Sequence, residues 1–121
     1  MEEKTLGTWG FGNFESDDAL DFVDEQIDRL VAIITEIFAD EQRFLLDEGA
    51  EGQLMPSAEI LILLCEHCGA LLPKEIDVAA WKRRYLDMYD AQIDGVSWAP
   101  GYKEARRAVI ESTFDRLLTH Q

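Results

Sequence analysis

Four aspartates near the start of the chain form the most regular set of reactive side chains in this sequence: Asp17, Asp21, Asp24 and Asp28. Their spacing of 4, 3 and 4 residues places them on one face of a helix, with Glu25 beside it. Calcium and magnesium require oxygens that converge from several directions, so a straight stripe of carboxylates is a poor metal site. The pattern indicates a solvated face or, as its functional interpretation, a face that binds a basic protein.

The sequence Cys65-Glu66-His67-Cys68 is a second candidate for chemistry. A redox C-x-x-C motif normally begins a helix after a strand, where the helix dipole lowers the thiol pKa. This one lies late in a predicted apolar helix, and a structural zinc site would need two more ligands, for which only His67 and His120 are available apart from carboxylates. We therefore interpret Cys65 and Cys68 as buried or half-buried thiols, with a redox or metal role as the alternative. The sequence predicts no metal and no cofactor.

Glu59 suggests a further alternative, an enzyme that uses carboxylates for catalysis. This residue begins an otherwise apolar helix, where it is more often a favourable N-terminal charge paired with a later Arg or Lys than a general acid. An enzyme would need Glu59 to converge with the cluster at Asp17 and Asp21 in one pocket. No serine-nucleophile motif and no Glu-x-x-His pair accompany it, so the sequence predicts no catalytic residue.

Three glycines and three aromatic residues precede the aspartates, at Gly7, Gly10, Gly12, Trp9, Phe11 and Phe14. A dinucleotide-binding loop would need a strand before it and a helix N-terminus free of acids, but Glu15, Asp17 and Asp18 stand there. The aromatic rings favour an anchor that lies across the helices and closes one end of the core. A docking surface for a partner is the functional alternative.

The stretch TWGFGNFESDDALDF resembles the start of a bacterial family, domain-of-unknown-function family 4259, which begins with W-G-x-G-x-F followed by D-x-A-x-D. Trp9, Gly10, Gly12 and Phe14 match the first part, and Asp17 or Asp18, Ala19 and Asp21 match the second. The segments SAEILILL and LLPKEIDVAAW are similar to that family as well. The resemblance implies a small helical bacterial domain in which these matched residues are structural, and it implies no established activity.

Charge divides the chain into unequal halves. The net charge is −14, and residues 1–60 hold 16 acidic and 3 basic residues, against 9 and 8 in residues 61–121. Such a field repels nucleic acids and anionic lipids and attracts basic partners. The start of the chain shows no signal-peptide pattern, and the longest apolar run, Ile60 to Cys65, is far too short to span a bilayer. We expect a cytoplasmic protein that binds neither nucleic acid nor membrane.

Hydrophobic periodicity predicts an all-α fold, a roughly four-helix antiparallel bundle formed by a single domain of 121 residues. The aromatic-glycine segment, residues 1–16, would be an extended lead-in packed across one end. The first helix has a regular apolar stripe and a possible break near Ala39–Asp40, and the second is apolar on nearly every side. The predicted helices cover about residues 17–47, 57–72, 77–94 and 103–119.

Two basic clusters, Lys82-Arg83-Arg84 and Arg106-Arg107, are predicted to face the acidic first helix within the bundle or the same helix of a second subunit. The leading functional hypothesis is a non-catalytic binding protein whose acidic helix face meets a basic protein, as an immunity-like inhibitor would. A carboxylate-based enzyme or metal-dependent hydrolase, and a homo-oligomeric structural module such as a homodimer, are the alternatives.

Overall fold

The computed structural model describes residues 7–96 and 99–121, which form four α-helices around a shared apolar core. The only β-pairing within these residues is one isolated antiparallel bridge between Thr8 and Ser16. The prediction of an all-α bundle is therefore confirmed. In chain order the elements are α1 (Asp17–Ala39), a π-helical segment (Leu46–Leu54), α2 (Met55–Cys68), α3 (Val78–Gln92), a 3-10 turn (Ile93–Gly95) and α4 (Tyr102–Leu118).

Helix α1 begins where its capping residues predict and ends earlier than its apolar stripe suggested. The Ser16 hydroxyl accepts a hydrogen bond from the backbone N–H of Ala19 at 3.2 Å, which satisfies one of the free amides of the first turn. The helix stops at Ala39, and the Asp40 carboxylate accepts from the backbone N–H of Gln42 at 2.9 Å. This local bond favours a turn over continued helix. The break predicted near Ala39–Asp40 is thus the real end of α1.

The glycine-rich stretch after α1 is a π-helical segment interrupted at Glu48, whose φ of −119° and ψ of −123° are not helical, although the sequence indicated only a helix-ending loop. The Gly49 N–H donates to the Arg43 carbonyl at 2.9 Å, and a Cβ on Gly49 would lie 2.9 Å from that same oxygen. The Leu46 N–H donates to the Gln92 side chain of α3 at 2.8 Å. These bonds hold the segment against the core, where it buries Leu46, Ala50 and Leu54.

Helix α2 packs one side into the core and leaves the other in solvent. Gly69, in the left-handed conformation with φ 72°, ends it at Cys68, several residues before the predicted end. Its buried side includes Leu61 and Ile62, whereas Ile60 and Leu63 are 45% and 52% exposed. An apolar sequence on nearly every side therefore does not make α2 fully buried.

Ion pairs join helix α4 to α3 and to α2. Lys82 pairs with Asp115 and Asp90 pairs with Arg107, so α3 and α4 run antiparallel. The core draws apolar side chains from all four helices, with Tyr85 fully buried near the middle of α3. None of the helices in residues 7–96 and 99–121 combines the length and the apolar character needed to cross a bilayer.

The aromatic-glycine segment differs most from its prediction. Trp9, Phe11 and Phe14 are 54%, 107% and 40% exposed, so the expected burial of these rings across one end of the core is wrong. The physical reason is that the chain turns back on itself between Gly7 and Asp17, closed by its own hydrogen bonds, and so does not extend across the bundle. The first six residues of the predicted lead-in lie outside the described residues.

Candidate functional site

Residues 7–16, here called the aromatic loop, form a compact turn directly before α1. The Trp9 N–H donates to the Glu15 carbonyl at 3.2 Å, and the Asp17 N–H donates to the Gly7 carbonyl at 3.0 Å. Inside this pair the Glu15 N–H donates to the Gly12 carbonyl at 3.2 Å. These backbone bonds give the loop a defined shape without burying its side chains.

The Glu15 carboxylate occupies the space that the glycines leave open. It accepts a hydrogen bond from the Gly12 N–H at 2.7 Å, and a Cβ on either Gly10 or Gly12 would lie 2.5 Å from one of its oxygens. Gly7 has a positive φ of 66°, and a Cβ there would clash with the Asp17 carboxylate. The glycine spacing is therefore explained by close packing of carboxylates against the loop.

The loop presents its aromatic rings to solvent. Phe11 is fully exposed, and Trp9 is more than half exposed. Phe14 makes one aromatic contact, an edge-on approach to the His67 ring of α2 at 6.4 Å between centroids. This exposure argues against the anchor that the sequence favoured, because the rings contribute little to the core. A docking surface stays the functional hypothesis for the loop.

The four aspartates of the predicted binding stripe, here called the acidic face, are all exposed on α1: Asp17, Asp21, Asp24 and Asp28. Glu25 is exposed beside them. Among the residues that the structure describes, no ion pair uses any of these five carboxylates. The aromatic loop runs directly into the acidic face at Asp17, and the two together are called the N-terminal surface below.

The family-motif residues divide between these two features. Trp9, Gly10, Gly12 and Phe14 belong to the aromatic loop, and the last three residues begin the helix: Asp18 and Asp21 are exposed, and the Ala19 N–H donates to the Ser16 cap.

The predicted pairing of the basic clusters with the acidic first helix is not found within the described chain. Lys82 pairs with Asp115, and Arg107 pairs with Asp90 through two hydrogen bonds of 2.8 Å. Arg84 does reach α1, but it donates to the Phe38 carbonyl at 2.7 Å and lies 4.9 Å from the centre of the Phe38 ring. The reason is distance along α1, since Phe38 lies ten residues beyond the last aspartate of the acidic face, about 15 Å of helix.

A half-buried cluster that the sequence did not reveal joins the π-helical segment to α3 and α4. Arg106 donates two hydrogen bonds to the Glu51 carboxylate, at 2.7 and 3.1 Å, and the Tyr85 hydroxyl donates to the same carboxylate. Burial, followed by the bond to Glu51, raises the pKa of Tyr85 far above its usual range, so this phenol stays neutral. The side chains of Glu51, Arg106 and Tyr85 are thus hydrogen-bonded within one cluster, an arrangement typical of a group that stabilises the fold.

The cleft beside this cluster also contains Glu59. Its volume is about 230 Å³, and it lies between α2 and α4, lined by Glu51, Glu59, Arg106, Val109 and Thr113 among others. Glu59 pairs with Arg116 at 3.3 Å, which confirms the expected partner from a later helix.

The carboxylates of the proposed enzyme do not share this cleft. Asp17 and Asp21 are exposed near the end of α1 that follows Phe14, and Phe14 contacts His67 at the far end of α2. Eight residues of helix, about 12 Å, separate His67 from Glu59. Among the described residues, Glu59 and the cluster at Asp17 and Asp21 therefore do not meet in one pocket.

The thiols of the C-x-x-C motif are free, with Cys65 buried and Cys68 half-buried, as expected from the apolar neighbours. Burial raises the pKa of both thiols, and for Cys65 the charges of Cys68 and Glu66 add to the effect. A raised pKa disfavours the reactive thiolate. Within the described residues, no group of three or more His, Cys, Asp and Glu side chains is placed to hold a metal ion.

Two of these features had only weak signals in the sequence. Glu15 follows Gly12 by three residues and Gly10 by five, so the sequence could have suggested a carboxylate near these glycines. It could not have shown that this carboxylate packs against the loop. The Glu51 cluster joins residues 34 and 55 positions apart, and no local pattern encodes such contacts.

Comparison with known proteins identifies a family over nearly the whole chain. The family described as Domain of unknown function (DUF4259) matches residues 7–120, a match that begins at the first glycine of the aromatic loop and includes all four helices. Neither the curated proteins nor the solved structures contain a significant match. On the extent of this match, the chain belongs to the DUF4259 family.

Proposed function

We propose that this protein is a non-catalytic binding protein of the bacterial cytoplasm, whose acidic face contacts a basic surface of another protein. The observation that supports the proposal is the lack of internal ion pairs at the acidic face within the described chain. Lys82, Arg106, Arg107 and Arg116 instead pair with carboxylates of the π-helical segment or of helices α2 to α4. An inhibitor or immunity-like protein that binds a basic toxin is one form of this function.

Electrostatics give the proposal its measurable signature. Like charges at i and i+4 on a helix destabilise it by a few tenths of a kcal/mol each, and no ion pair within residues 7–96 and 99–121 offsets them. A cationic partner would remove that repulsion and would be attracted over a distance of about 8–10 Å at ordinary ionic strength. Association should therefore be fast at low salt and weaken steeply as salt is added.

The test compares two triple variants that change the net charge equally. Immobilised wild-type protein captures its partner from the cytosol of the native cell, and the purified partner is then titrated by calorimetry at several NaCl concentrations. In D21K/D24K/D28K the acidic face is reversed, whereas in E41K/D47K/D87K three exposed carboxylates outside it are reversed. We expect the first variant to bind at least about tenfold more weakly and to lose most of its salt dependence.

The control variant should bind nearly as well as the wild type, because its carboxylates lie outside the proposed surface. Equal losses in the two variants would show that only the net charge matters. Binding unchanged by reversal of the acidic face would refute the proposed function.

A further inference from the structure

The aromatic loop has two properties that the proposed electrostatic contact does not use. Its backbone is fixed by the hydrogen bonds of Gly7, Trp9 and Gly12, and its Glu15 carboxylate fills the inner side of the turn. The same arrangement leaves no room for the rings inside, and Phe11 is fully exposed. A shape that is held in advance loses little conformational freedom on binding, which favours affinity.

We propose that the aromatic loop is the anchor of the docking surface, and that it inserts Phe11 and Trp9 into an apolar recess on the partner, a recess rimmed by lysine or arginine. This inference rests on the proposed function, because the rimming cations are those that contact the acidic face. The rings supply apolar contact area in the manner of interface hot spots. The neighbouring carboxylates Glu15, Asp17 and Asp18 supply the charge that selects a cationic rim.

Charge also disfavours the other occupants of such a surface. A second copy of the chain would bring another net charge of −14 and a second acidic face against the first. Anionic lipid and nucleic acid are repelled by the same carboxylates. Phe11 is fully exposed and Trp9 more than half exposed, so a matching partner surface would be a recess in a basic protein.

A soluble host with the proposed chemistry provides a direct probe. An amino-substituted β-cyclodextrin has an apolar cavity that admits one phenyl ring, and it carries a ring of ammonium groups at its rim. Titration of the host into ¹⁵N-labelled protein, followed by NMR, should shift the Gly10 and Gly12 amides, which lie on either side of Phe11. We expect the amino host to bind about fivefold or more tightly than neutral β-cyclodextrin at low salt, because of the carboxylates beside the rings.

The variants separate the loop from other exposed aromatic surface. Phe11→Ala should weaken binding of the amino host about tenfold, since the ring that enters the cavity is removed. Phe22→Ala is the matched control, because Phe22 is 60% exposed on α1 and lies outside the loop. It should bind as the wild type does. Both rings are exposed, so both variants should keep the wild-type circular dichroism spectrum.

Three results would overturn the inference: no shift of the loop amides, equal loss in both variants, or no advantage of the amino host over the neutral one. None of these results bears on the proposed function, which stands or falls on the salt-dependent loss of partner binding in D21K/D24K/D28K. Conversely, host binding at Phe11 together with partner binding unaffected by reversal of the acidic face would support the loop and refute the electrostatic contact.

Discussion

The N-terminal surface and the α3–α4 half of the molecule differ in whether their charged side chains form ion pairs within the chain. In α3 and α4 the basic residues Lys82, Arg106 and Arg107 each pair with a carboxylate of the described chain. Among the described residues the acidic face has no such partner, and the rings of the aromatic loop are exposed. One region pairs most of its basic residues internally, and the other leaves its carboxylates unpaired and its rings exposed.

This difference separates the groups that stabilise the fold from those available for binding. The Glu51 cluster links the π-helical segment, α3 and α4, and breaking it leaves partners unpaired in a half-buried place. Among the described residues the acidic face makes no internal ion pair, so its substitution should weaken binding without lowering stability. The predictions below test this separation.

The largest effect is expected from Glu51→Ala. It leaves the Arg106 guanidinium and the Tyr85 hydroxyl without their acceptor, and we expect the free energy of unfolding in urea to fall by about 2–3 kcal/mol. Asp115→Asn, at the more exposed pair with Lys82, is the control and should cost less than about 1 kcal/mol. An equal loss of unfolding free energy in the two variants would contradict a stabilising role of the Glu51 cluster.

A smaller effect is expected when the aromatic loop is loosened by Glu15→Ala. The Gly12 N–H loses its acceptor, so amide hydrogen exchange in the loop should accelerate about tenfold, which corresponds to about 1.4 kcal/mol of local opening free energy. The global free energy of unfolding should change by less than about 1 kcal/mol, because the rings are not part of the core. A large global loss would show that the loop supports the core after all.

At the acidic face the expected change has the opposite sign. Asp24→Asn with Asp28→Asn removes like-charge repulsion at i and i+4, and we expect the unfolding free energy to rise by about 0.2–0.5 kcal/mol. Chemical denaturation at low salt measures it, and added salt should remove the difference. A loss of about 1 kcal/mol or more would mean that these aspartates have internal partners.

A further small effect concerns Asp90 and its dependence on pH. The hydrogen-bonded Arg107 guanidinium holds the pKa of Asp90 below its ordinary value. The pair therefore stabilises the fold at pH values above the ordinary aspartate pKa. This stabilisation is lost as the pH falls through the lowered pKa of Asp90 in the folded protein. Asp90→Asn should be about 0.5 kcal/mol less stable than the wild type at pH 7, since the pair is exposed. That difference should vanish near pH 2. A difference that grows in acid would contradict the assignment.

The sequence predicts the parts of this fold that depend on local pattern. The apolar stripe and the Ser16 cap of α1, and the break after Ala39, could all be read from the residues. The π-helical segment could not, because it depends on the bond from Leu46 to Gln92, 46 positions away.

The candidate site shows the same limit. The sequence indicated that the acidic face would be exposed and that the glycines and rings before it formed one unit. It predicted buried rings, because apolar area alone favours burial, and this was wrong because the Glu15 carboxylate fills the inner side of the turn. Side-chain packing over a few residues thus excluded the anchor.

Hydrogen–deuterium exchange on the complex with the captured partner tests the central claim most directly. We predict that binding slows exchange in residues 7–28, the N-terminal surface, and leaves the amides of α3 and α4 unchanged. Protection confined to α3 and α4, with residues 7–28 exchanging as in the free protein, would contradict the account.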